Sequence, residues 1–144
     1  MPVDVVLLCR DAHAESIVDA MLFARDAVKA GRTAGVIVTG AALLAMSQGH
    51  FLWSRGFWPQ QIRWGIADRA KAVGMPVTGR GQFRALDVKG VILQARDAGV
   101  RLFACPTWIP LLGLEDALPE YLQSLDHAGA LEMMERASTV VGSF

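Results

Sequence analysis

Apolar residues run almost unbroken from Val3 to Leu8 and again from Ala34 to Thr39. Runs of this length predict strands covered on both faces, because a strand with one wet face alternates apolar with polar. Between them Ile17, Ala20, Met21, Ala24 and Val28 recur every three or four positions, which predicts a helix ended by Gly31. Gly40 closes the second strand, and Ala41 to Met46 reads as a short helix. Ile62, Ile66, Ala70 and Val73 mark a helix running to Gly74, and the glycine-rich stretch from Met75 to Gln82 reads as loop with room for a short strand. Val88, Val91, Ile92 and Ala95 stripe a helix from Asp87 to Ala98, closed by Gly99. Arg101 to Cys105 is then a buried strand cut off by Pro106. Pro106 to Gly113 is a tight apolar connection with room for one helical turn, and Leu118 to Leu125 has room for a short strand. Leu131, Met134 and Ala137 mark a last helix, and Thr139 to Phe144 a closing strand.

Buried strands alternating with helices predict an α/β protein. With right-handed crossovers it becomes a three-layer α/β/α sandwich around a mainly parallel sheet, resembling flavodoxin. The expected organisation is one domain over residues 1–144, with a Trp-rich insert at about 48–82 holding Phe51, Trp53, Phe57, Trp58 and Trp64. Aromatic density of that kind predicts either a subunit or partner surface or a lid folded onto its own domain.

Composition narrows the function classes. Hydrophobic residues make up 53% of the chain and charged ones 19%, which predicts a doubly covered sheet or a large subunit interface. Fourteen basic side chains balance 14 acidic ones, so no broad field exists to attract nucleic acid or an anionic membrane surface. No apolar run approaches the roughly 18 residues of a membrane span. Met1-Pro2-Val3-Asp4 lacks the basic start of a secretory leader, so an intracellular chain with reduced cysteines is expected. Cys-x-x-Cys is absent and His13, His50 and His127 are far apart, so no metal site is expected. No Gly-x-Gly-x-x-Gly or Walker-type loop follows a strand, so no nucleotide cofactor is expected.

Ligands and reactive groups of parallel α/β sheets gather just beyond the carboxyl ends of the strands. Cys105 stands there, and it is the candidate reactive residue. Cys9 ends the first strand. In a flavodoxin-like order the first strand is central and the third core strand lies beside it, at a spacing of about 4.8 Å. The two thiols are then within disulfide reach if both leave the sheet on the same side; otherwise Cys9 packs as a small hydrophobe. Arg10 and His13 follow the first strand and are candidates for lowering the thiol pKa at that edge. Thr107 and Trp108, just past Cys105, are candidate binding residues, Trp108 as a pocket wall or as core. Asp11, Asp87 and Asp126 are expected to cap helices.

The segment 99–114, GVRLFACPTWIPLLGL, with Leu112-Gly113-Leu114, the Gly129-Ala130 pair and the closing valine strand, resembles the DsrE/DsrF-like family, as does the first helix with AMLFARDA at 20–27. That family includes sulfur-relay proteins of the Tus and Dsr systems. The resemblance covers most of the chain, apart from the region of about 48–82. It implies a flavodoxin-like fold, a cytoplasmic location, homo-oligomers of three or six chains, and a persulfide-carrying role for Cys105 with sulfur donor and acceptor proteins as partners. Three readings follow. The first is a small cytoplasmic sulfur-trafficking protein. The second is a non-catalytic oligomeric binding module using a pocket near Cys105 and Trp108 together with the aromatic insert. The third is a redox switch built on Cys9 and Cys105.

Overall fold

The computed structural model describes residues 3–144. Strand β1 (Val5–Cys9) leads into helix α1 (Ala14–Lys29), strand β2 (Ala34–Val38) and helix α2 (Gly40–Gln48). Helix α3 (Gln60–Ala72) and an antiparallel pair, β3 (Val77–Thr78) and β4 (Ala85–Leu86), come next. Then follow helix α4 (Val88–Asp97), strand β5 (Arg101–Ala104), the single-turn helix α5 (Trp108–Leu111), strand β6 (Gln123–Ser124), helix α6 (His127–Arg136) and strand β7 (Thr139–Val141). The main sheet is parallel throughout, in the order β6-β5-β2-β1-β7.

Every residue of β2 is buried, as its unbroken apolar run requires. The pleat sorts the strands onto two faces. Leu7, Cys9, Val36, Val38, Leu102 and Ala104 share one core with the buried stripes of α1, α2 and α4. Val6, Ile37 and Phe103 pack on the other face against Ala130 and Met133 of α6. The chain steps outward from β1 to β2, β5 and β6 with α1 to α4 on one face, then returns across the sheet to β7. Reversing direction with the same crossover hand puts α6 on the opposite face. This is the expected α/β/α sandwich, with unequal layers.

Two details of the strand reading change. Gly40 does not close β2 but opens α2: its φ of +53° lets the chain turn from strand to helix within one residue, a conformation other side chains resist. The third core strand, β5, does not lie beside β1, because β2 sits between them, with Cys9 paired to Val38 and Val38 paired to Ala104. Each crossover moves one strand further out instead of returning past β1, so the flavodoxin neighbour relation expected for Cys9 and Cys105 is not formed.

The Trp-rich segment is folded largely onto the rest of the chain. Phe51 and Trp53 pack against the larger core, the Trp53 and Phe57 rings stand 5.2 Å apart, and Trp64 donates its indole N–H to the Gln82 carbonyl at 3.0 Å. Trp58 donates to the Trp53 carbonyl yet remains 59% exposed. Among the described residues no helix is long and apolar enough to cross a membrane.

Candidate functional site

Cys105 is the first residue past β5, held at the edge of the ladder by its N–H to the Val38 carbonyl at 2.8 Å. The next residues begin a helical turn, with Trp108 and Ile109 donating to the Cys105 carbonyl at 3.3 Å. Pro106 suits this start because it has no N–H to satisfy. The Cys105 sulfur then stands where a helix-capping oxygen usually does, facing the N–H groups of Thr107 and Trp108. The Thr39 hydroxyl reaches it from the end of β2, and the Thr107 hydroxyl from its own turn. Partial burial pushes the thiol up, but these four hydrogen bonds outweigh it and hold Cys105 below its ordinary pKa. The arrangement favours the charged form, the nucleophile of thiol chemistry.

A further group joins from beyond the carboxyl end of the neighbouring parallel strand β6. Thr107 Oγ1 lies 2.9 Å from His127 Nε2. His127 is the first residue of α6, whose N-terminus is fixed by the Asp126 carboxylate accepting the Gly129 N–H at 2.6 Å.

The other sequence candidates divide. Arg10 and Trp108 line one open cleft of about 590 Å³ together with Thr39, Gly40 and Phe144. That cleft opens where β1, β2 and β7 end, beside the two residues whose hydroxyl and N–H hold the sulfur. His13 turns away: its Nδ1 is 2.9 Å from Asp11 Oδ1, and its backbone bridges to Leu52. Cys9 is fully buried on the other face of the sheet from Cys105. Burial, with the Asp11 carboxylate adding to it, pushes the Cys9 thiol up to about 12, so it stays protonated. The redox switch loses its geometry, because the two cysteines sit two strands apart on opposite faces. Asp87 and Asp126 cap α4 and α6 as expected. The cap position of α1 is His13 instead of Asp11, whose carboxylate accepts the His13 N–H and the Ser16 hydroxyl just outside the helix.

Sequence reasoning passed over Thr39 and His127. Thr39 gives no local signal, since its partner is 66 positions away and only the strand order makes them neighbours. His127 follows a readable cap, yet its contact depends on α6 crossing to the face that Cys105 occupies. Among the described residues no cluster of metal-ligating side chains is found.

Fold and site together define a class: a parallel α/β sandwich with a hydrogen-bonded thiol at the carboxyl ends of its strands. No protein-family model and no curated protein matches the sequence. Among solved structures, the crystal structure of the ychN protein from E. coli is similar to this chain. The TM-score is 0.62 over 99% of this chain and 100% of that one, at 13% identity. At that identity the likeness is one of fold.

Proposed function

We propose that the protein is a small sulfur carrier that holds sulfane sulfur as a persulfide on Cys105. The observation that carries this reading is the set of four donors around a half-buried sulfur at the strand ends. The resemblance of residues 99–114 to the DsrE/DsrF-like family supports it. In the step, the Cys105 thiolate attacks the outer sulfur of a donor persulfide. A Cys105 S–S bond forms, the donor's S–S bond breaks, and the donor cysteine leaves as a thiolate that takes up a proton. No net oxidation occurs, as in thiol–disulfide exchange. The same donors that hold a thiolate also hold the terminal sulfur's negative charge when it is close by, and the adjoining cleft is lined by both Arg10 and Asp11. A cytoplasmic location, a homo-oligomer of three or six chains and protein donors and acceptors belong to this reading.

The test is incubation with glutathione persulfide followed by peptide mass spectrometry. The Cys105 peptide is expected to gain one sulfur atom, and Cys105→Ser to gain none. Sulfur uptake by Cys105→Ser equal to that of the wild type overturns the proposal.

One observation favours a second reading, the non-catalytic binding module. An apolar groove of about 510 Å³ runs between α1 and α3, walled by Trp53, Phe57, Ile66 and Met75. If Cys105 reacts slowly, and blocking it leaves assembly and partner binding unchanged, this reading replaces the first.

A further inference from the structure

Strand register aligns three residues just past the sheet. Cys9, Val38 and Ala104 are partners across β1, β2 and β5, so Arg10, Thr39 and Cys105 follow in one row. The Thr39 N–H donates to the Cys9 carbonyl at 2.9 Å and the Cys105 N–H to the Val38 carbonyl at 2.8 Å, which keeps the row in line. Cys9, Val38 and Ala104 belong to the larger core, and alternation along a strand turns the next residues to the other face, where Cys105 packs. Arg10 and Cys105 stand two strand spacings apart, about 9–10 Å, with Thr39 between them. The open cleft of about 590 Å³ runs along this row from Arg10 past Thr39 to Trp108. That volume is in the range of small-molecule sites.

The cleft holds one charge of each sign. The Arg10 guanidinium has no ion pair and no hydrogen bond among the described residues. Asp11 is fixed in place: Oδ1 accepts the His13 N–H and Oδ2 the Ser16 hydroxyl, both at 2.9 Å. With His13 Nδ1, also 2.9 Å from Oδ1, these contacts fill three of roughly four acceptor sites and leave one on Oδ2. Gly40 has no side chain to fill the wall, and a Cβ there would stand 3.9 Å from Trp108 Nε1. The Trp108 indole N–H has no hydrogen-bond partner among the described residues. A guanidinium and a carboxylate side by side match an α-amino acid head group, which carries a carboxylate and an ammonium on one carbon. A cysteine inside a protein chain has both groups tied into peptide bonds and offers neither charge.

We propose that the cleft binds a low-molecular-weight persulfide with an amino-acid head group, of the cysteine persulfide class. Its carboxylate lies on Arg10, its ammonium on Asp11 and its outer sulfur against Cys105. An arginine side chain and a molecule of that size together span the row. Transfer here rests on the carrier reading of Cys105 and adds a small-molecule source to the protein donors. The Cys105 thiolate attacks the outer sulfur. A Cys105 S–S bond forms as the donor's S–S bond breaks, and the electron pair of the broken bond leaves on the donor's inner sulfur. That thiolate takes up a proton from solvent, balancing the one the Cys105 thiol gave up. The donor departs as the free amino-acid thiol, with no net oxidation. Holding the head group at the far end of the row fixes where the outer sulfur sits, which makes the attack effectively unimolecular.

Two measurements on the full chain separate the site from the chemistry. Sulfur uptake by Cys105 is followed by peptide mass spectrometry with cysteine persulfide and with the persulfide of N-acetylcysteine methyl ester, which lacks both charges. The ratio of the two rates is expected to fall about tenfold in Arg10→Gln, the loss of one charge-assisted hydrogen bond. Arg10→Lys is expected to keep part of it, since the charge stays and the fork is lost. An effect of Arg10 on the thiol alone would change both rates together and leave the ratio unmoved. Binding is read separately in Cys105→Ser, by the NMR shift of the Trp108 indole N–H on adding S-methylcysteine, which has no sulfur to give. A shift is expected with S-methylcysteine and none with its N-acetyl methyl ester, and Arg10→Gln in the same chain is expected to abolish it. A rate ratio unmoved by Arg10→Gln overturns the proposal, and so does an indole that responds to neither compound. Selective binding without uptake from either persulfide refutes the carrier reading alone, and uptake with an unmoved ratio refutes the site alone.

Discussion

Thr39 occupies the cap position of α2, where a threonine hydroxyl ordinarily accepts a backbone N–H, but it makes no such bond. It donates to Cys105 instead. Thr39→Val keeps the shape and removes the donor. Alkylation of Cys105 at neutral pH is expected to slow by up to about tenfold, with stability changed by less than about 1 kcal/mol because no cap is lost. Cys9 gives a prediction of the opposite sign. Its folded pKa of about 12 stands above the ordinary 9.0. Below the ordinary value both states keep the proton and the stabilisation is complete. Between the two values the unfolded chain ionises while the folded chain does not, so stability falls as pH rises, by roughly 4 kcal/mol over the window. Buried Tyr121, also raised, adds to the fall at higher pH. Urea unfolding between about pH 8 and 11 is expected to show this slope, and Cys9→Ala to lower it by one proton while costing about 1 kcal/mol at neutral pH.

The helices carry their own signals. The apolar stripes of α1 and α4 and the caps Asp87 and Asp126 are legible in the sequence because each depends on residues within one or two turns. The caps also explain two glycines. A Cβ on Gly129 would stand 2.9 Å from Asp126 Oδ1, and one on Gly90 2.7 Å from Asp87 Oδ2 and 2.8 Å from Pro76 Cβ. Asp126→Ala is expected to cost about 1 kcal/mol in urea unfolding and Asp126→Ser to restore most of it. The region of 48–82 carries a weaker local signal. Its aromatics are interrupted by Gly56 and Pro59, and whether they face a partner or their own domain depends on where α3 settles, which local periodicity does not contain.

At the scale of the molecule, sheet order decides which cysteine chemistry is possible. Cys9 and Cys105 end strands separated by β2, about 9–10 Å apart at the usual spacing, whereas a disulfide requires Cα atoms within roughly 7 Å. They also leave the sheet on opposite faces. Mild oxidation is therefore expected to leave the monomer without the loss of two hydrogens that an internal bridge would give. Any disulfide-linked dimer is expected to disappear in Cys105→Ser and to persist in Cys9→Ala. An intramolecular bridge found by peptide mapping would contradict the topology.

Alone, the sequence determined the element types, two of three expected caps, the doubly covered sheet and the position of Cys105 at a strand end, because these follow from composition and short-range spacing. The tertiary structure decided what surrounds that sulfur. Thr39, just past β2, reaches Cys105, and His127 of α6 reaches Thr107, only because of the order in which β2, β5 and β6 pair and the face to which the last crossover sends α6. Pairing order and crossover face come from long-range packing, which no local pattern encodes.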